Sequence, residues 1–184
     1  MTKKIIMKKI IMSVFLLSLL NFNAYSDQTD PRLEGLFDNL IATKSELKAT
    51  PILAKIWSIW SLSDDKNIQK KFNLGNQFME NRQFSQSINV FSDIINSQPN
   101  FAEAWNKRAT IYYIIGNYEK SINDIFTTLE LEPRHFGALD GLAQIYFTQD
   151  KFYEAAQTYR KILEILPFNN KAQTRLEYLE QSFI

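Results

Sequence analysis

The chain has 184 residues, 45% of them hydrophobic and 14% aromatic, with 21 Lys and Arg against 20 Asp and Glu, an ordinary globular profile. It has no cysteine and one histidine, His135, which excludes disulfides, thiol catalysis, thiolate or His-pair metal sites and a lipidated amino-terminal cysteine. Four lysines fall in the first nine residues; without residues 1–26 the body carries 17 basic and 20 acidic side chains, and this mildly acidic balance without a basic stripe argues against nucleic-acid binding.

Residues 1–26 read as a signal peptide. Lys3, Lys4, Lys8 and Lys9 form a positive start, Ile10 to Leu20 an apolar run, and Ala24 and Ser26 small residues at the cleavage spacing. Cleavage is expected after Ser26. The alternative is an uncleaved anchor, but eleven apolar residues fall short of the roughly 20 that a spanning helix needs. No membrane contact is expected once the signal is removed, and the absence of cysteine suits an oxidising compartment.

Residues 27–67 are expected to form a helical pair. Asp30-Pro31 reads as an N-cap with proline in the first turn, followed by Leu33, Leu36, Phe37, Leu40 and Ile41 at helical spacing. Ile52, Ile56, Ile59 and Trp60 make a second stripe, and Thr50-Pro51 reads as its cap and first turn. Projecting the 34-residue phase backwards brings Ile41 onto the repeat position of Ala109, Trp57 onto that of Phe91 and Trp60 onto that of Ile94. The pair is therefore expected to be a degenerate unit capping the first repeat with its tryptophans; an exposed partner site at Trp57 and Trp60 is the weaker alternative.

Three copies of one pattern follow, at 68–101, 102–135 and 136–169. Pro99, Pro133 and Pro167 stand 34 residues apart, as do Phe84, Tyr118 and Phe152, and Gly75, Ala109 and Ala143. In the middle copy Ala102, Trp105, Ala109 and Tyr112 share a helix face, Gly116-Asn117 makes the turn, and Ile122, Ile125, Phe126 and Leu129 are expected inward on the next helix. The small residues mark where the two helices cross closely. Residues 170–184 read as a closing helix capped by Asn169 or Asn170, with Ala172, Leu176, Leu179 and Phe183 inward and Lys171, Arg175, Glu177 and Glu180 outward.

A 34-residue period with these small, aromatic and proline positions resembles the tetratricopeptide repeat, a helix-turn-helix unit that stacks into an all-α solenoid. The segments DPRL at 30–33, IWSIW at 56–60, EPRHFGAL at 132–139 and FAEAWNKRATIYY at 101–113 also resemble exported proteobacterial tetratricopeptide proteins of unassigned function. That resemblance implies the periplasm of a Gram-negative cell and no particular activity.

The repeat resemblance places partner-binding residues on the first helix of each copy, along the concave surface. Phe72, Asn106 and Asp140 form one column, Asn76, Thr110 and Gln144 a second, and Met79, Tyr113 and Phe147 an apolar third. Such columns could hold a protein or peptide partner through backbone hydrogen bonds beside a hydrophobic strip; simple core packing is the competing account. The family's carboxylate clamp needs Lys or Arg here, where Phe72, Asn106, Gly137 and Asp140 stand instead. No nucleophile–base pair, phosphate loop or metal motif is visible, so neither an enzyme nor a cofactor is expected. His135 is expected in a structural contact, and Asp124, Glu130, Glu132 and Asp140 on solvated helix faces. The sequence thus points to a protein-binding scaffold of envelope assembly or maintenance, with a general chaperone for exported proteins as the alternative.

Overall fold

A computed structural model describes residues 27–43 and 45–181; the expected signal at 1–26 and Phe183 lie outside them. After a short 3-10 turn, nine helices follow among the described residues: α1 Arg32–Ala42, α2 Glu46–Trp60, α3 Lys66–Glu80, α4 Phe84–Ser97, α5 Ala102–Ile114, α6 Tyr118–Leu131, α7 Phe136–Thr148, α8 Phe152–Ile165 and α9 Asn170–Gln181. The fold is all-α, and α3–α4, α5–α6 and α7–α8 are the three repeats.

Each pair closes on its small residue. A Cβ built on Gly75 would stand 2.8 Å from the Phe91 ring, and Ala109 and Ala143 are buried at the matching positions. Ser87 and Ser121 fix the crossings further, their hydroxyls donating to the carbonyls of Gly75 at 2.7 Å and Ala109 at 2.8 Å. Between the paired helices the chain turns through a left-handed residue, Gly116 at φ 78° and Arg82 and Asp150 at φ 58°, all at one place in the period. Pro99, Pro133 and Pro167 each lie in the turn after the second helix, where a proline cannot continue the helical ladder.

The junction of repeats 1 and 2 rests on an aromatic cluster at the end of repeat 1 and on Arg108, which reaches back from repeat 2. Phe72 lies 5.1 Å from the Phe101 ring in near-parallel stacking and edge-on to Phe91. Arg108 grips both oxygens of Asp124 at 2.7 and 2.8 Å while donating to Ser92 across the repeat boundary. Asp124 and Glu132 are therefore buried, not solvated as their scatter suggests; Glu132 is held by the Arg134 guanidinium and backbone. Phe126 departs from its expected inward place and is 45% exposed, because Asp124, Ile125 and Thr128 take the buried face of α6.

The α1–α2 hairpin differs most from expectation. Asp30 accepts from the Arg32 N–H at 2.8 Å ahead of α1, whose N-cap position is taken by Pro31. Pro51, however, lies inside α2, which begins a turn earlier because Ala49 is fully buried and the Thr50 hydroxyl bonds the Glu46 carbonyl at 2.9 Å. The pair is out of phase with the repeats, and Ile41, expected at a close crossing, is half exposed. Its apolar stripes instead join one core with repeat 3 and α9, combining Leu33, Phe37, Ile56 and Trp60 with Leu139, Tyr159, Ile162 and Leu179.

The tryptophans sit on the junction of repeats 2 and 3. Trp60 stacks on His135 at 4.2 Å and 12°, and Trp57 meets His135 and Phe136 edge-on at 5.4 and 5.2 Å. Gly137 makes room for Trp57, since a Cβ there would come within 2.6 Å of its ring. Arg134 completes the seat, lying over the Phe37 ring at 4.1 Å and pairing with Glu34 at 3.0 Å.

Candidate functional site

A cavity of about 270 Å³ opens between α5 and α7, the first helices of repeats 2 and 3, and Asn106, Thr110, Tyr113, Asp140 and Gln144 line it. A second, of about 210 Å³, shares Tyr113 and Gln144 and adds Phe147, Lys171 and Arg175. The two form one trough along the first-helix face toward α9. Six of the nine expected residues are thus brought together.

The three from repeat 1 line neither cavity. Phe72 is a correction: at 1% exposure it cannot meet a partner, because Phe91 and Phe101 enclose its ring. Met79 packs against the same core, and the Asn76 side-chain oxygen is buried without a hydrogen-bond partner among the described residues. In the preceding gap, between α3 and α5, Glu103 and Lys107 stand where α7 carries Gly137 and Gly141, so the trough belongs to repeats 2 and 3.

Beneath the trough lies a buried polar cluster. The fully buried Glu103 accepts from His135 and Asn106, both at 2.9 Å, and pairs with Lys107 at 3.3 Å. Burial pushes the Glu103 carboxyl up, but the His135 hydrogen bond, with the Lys107 charge and the Asn106 hydrogen bond, brings it below the ordinary glutamate value. His135 is structural as expected, and it also caps α7 by accepting the Ala138 N–H at 3.1 Å.

Sequence reasoning missed the contribution of α9. Lys171 bridges to Asp140 at 3.2 Å, and Arg175 lies over the Phe147 ring at 5.1 Å. Extending the 34-residue period once more gives the signal, since it puts Lys171 and Arg175 in register with Gly137 and Gly141. Among the described residues no acidic or histidine cluster could hold a metal ion, and no helix is long and apolar enough to cross a membrane.

Family models described as tetratricopeptide repeat match residues 72–130 and 137–169. A tetratricopeptide repeat-containing protein of Rhizobium etli is 31% identical over 156 residues, covering 85% of this chain and 76% of that protein. The chain belongs to the tetratricopeptide-repeat family. A second relative, the small glutamine-rich tetratricopeptide repeat-containing protein 2 of Mycosarcoma maydis, is 24% identical, and the match spans 42% of its length.

Solved structures agree with this tetratricopeptide fold. The first such domain of Spaghetti (RPAP3), bound to an HSP90 peptide, superposes with a TM-score of 0.61 at 19% identity, covering 65% of this chain and 95% of that one. MamA gives 0.60 at 17% identity over 85% of this chain and 84% of its own. The type III secretion chaperone SycD of Yersinia enterocolitica, in complex with a YopD peptide, gives 0.62 at 9% identity over 66% and 98%.

Proposed function

We propose that the protein is a non-catalytic interaction scaffold that holds a partner peptide or helix in the trough of repeats 2 and 3. The carrying observation is the cavity pair lined by Thr110, Tyr113, Gln144 and Phe147, where apolar walls alternate with hydrogen-bonding groups. Peptide complexes of RPAP3 and SycD support the reading, since both share this fold. The amino-terminal pattern of charge, apolar run and small residues supports export to the periplasm, and with it a role in envelope assembly or maintenance.

Site-specific photo-crosslinking in the native cell tests this reading. A benzophenone side chain at position 110 should capture one dominant partner from the periplasmic fraction. The same group at position 153, on the exposed Tyr153 of α8, should not. A broad set of unrelated clients from position 110 would replace the scaffold by a general chaperone. Recovery of the protein only from the cytosol would overturn the periplasmic assignment.

A further inference from the structure

One backbone amide fixes the hydrogen-bond polarity of the cavity between α5 and α7. The Ala138 N–H donates to His135 Nδ1 at 3.1 Å, so that nitrogen is the ring's acceptor and the ring hydrogen lies on Nε2. His135 Nε2–H therefore donates to Glu103 Oε2 at 2.9 Å. The same oxygen accepts from Asn106 Nδ2 at 2.9 Å, because a carboxylate offers only lone pairs. This chain orients the Asn106 amide. With Nδ2 committed to Glu103, Oδ1 is the atom with lone pairs to offer, on a side chain that lines the cavity and is only 6% exposed.

The remaining polar groups have the same sense. Thr110 spends its hydroxyl hydrogen on the Asn106 carbonyl and Ser121 on that of Ala109. Gln144 turns its amide hydrogens to the Asp140 side chain at 2.8 Å and backbone at 3.4 Å. Asp140 itself only accepts. Apart from the Tyr113 hydroxyl and the second Asn106 amide hydrogen, the lining side chains have lone pairs to offer and no hydrogen to give. A carboxylate would meet Asp140 and a set of like-signed oxygen dipoles; a cationic donor would satisfy them.

Resting on the trough reading above, we infer that this cavity takes a lysine or arginine side chain of the partner segment. Its aliphatic stem lies against Ala109, Ile125 and Ala138, as long cationic side chains do on apolar surface. Its head donates to Asn106 Oδ1 and Asp140. The Lys171 bridge to Asp140 joins side chains 57% and 38% exposed, and an exposed pair of this kind holds weakly enough to be exchanged. Gly141 leaves the entrance open, with the nearest atom to an added Cβ being Ile125 Cδ1 at 3.5 Å.

The test is a selection of random displayed peptides on the immobilised full chain, with the Gly141→Phe protein as counter-selection because its ring fills the cavity. Lys or Arg should be enriched at one position. Asp140→Asn should weaken a selected peptide about tenfold, the scale of a charged hydrogen bond. Lys171→Met should leave binding unchanged or tighten it, since it removes the competitor for Asp140; tighter binding is a sign that a merely structural role for the bridge would not produce. Enrichment of acidic residues or a free carboxyl terminus, or weaker binding by Lys171→Met, overturns the inference while the trough reading stands. Peptides that bind the parent and Gly141→Phe proteins equally, or no selected peptide at all, overturn the trough reading and this inference together.

Discussion

Gly137 and Gly141 stand one turn apart on α7, yet an added methyl group meets different surroundings. At Gly141 it reaches ordinary contact at 3.5 Å, whereas at Gly137 it enters the Trp57 ring at 2.6 Å. Gly141→Ala should therefore stabilise the protein by about 0.5–1 kcal/mol through lower backbone entropy in the unfolded chain. Gly137→Ala should destabilise it by about 1–3 kcal/mol through overpacking. Urea denaturation of both variants checks the pair, and equal shifts would contradict the Trp57 seat.

Glu103 makes the stability of the fold depend on pH. The folded protein holds this buried carboxyl below the ordinary value despite the opposing push of burial. Its stabilising share is thus complete above the unfolded value of about 4.3 and is lost as pH falls through the lower folded value. Glu103→Gln should be less stable than the parent at pH 7, with the gap closing on acidification below about pH 4.3. Denaturant midpoints at pH 7 and pH 3.5 measure it, and a constant gap would show that the cluster does not hold the ionised form. None of this was legible in the sequence, where Glu103 is one acid among 20 and its partner lies 32 residues away.

At the scale of elements, the repeats were legible because each position answers one local demand, a small residue at the crossing or a proline past the second helix. The amino-terminal hairpin was not. Thr50-Pro51 carries a good local helix-start signal, yet burial of Ala49 and the docking of Ile56 and Trp60 extend α2 through it. Tertiary packing decides which of two admissible starts is used. Proline at 51 removes the N–H that would otherwise bond the Leu47 carbonyl, so Pro51→Ala should raise stability by on the order of 1–3 kcal/mol. Calorimetric melting tests this, and a lowered melting temperature would mean that the proline shapes the hairpin.

The whole molecule combines a regular solenoid with a hairpin folded onto its second junction. The repeat period predicts the solenoid but contains nothing about where a non-repeating segment docks, which depends on Trp57, Trp60 and Arg134 meeting His135, Phe136 and Phe37. The same limit applied to the trough. Its residues from repeats 2 and 3 were readable from register, while Phe72 was misplaced because its column is core wherever a neighbouring ring such as Phe101 covers it. Lys171 and Arg175 were readable only by treating α9 as a fourth first-helix.

The most direct measurement is a proton–nitrogen NMR titration of the labelled protein with the peptide of the partner captured at position 110. Amide shifts should be concentrated at Asn106, Thr110, Tyr113 and Gln144, with the outer faces of α6 and α8 around Phe126 and Tyr153 unmoved. Shifts confined to those outer faces, or to the α1–α2 hairpin, would place the partner elsewhere and contradict the trough as the binding surface.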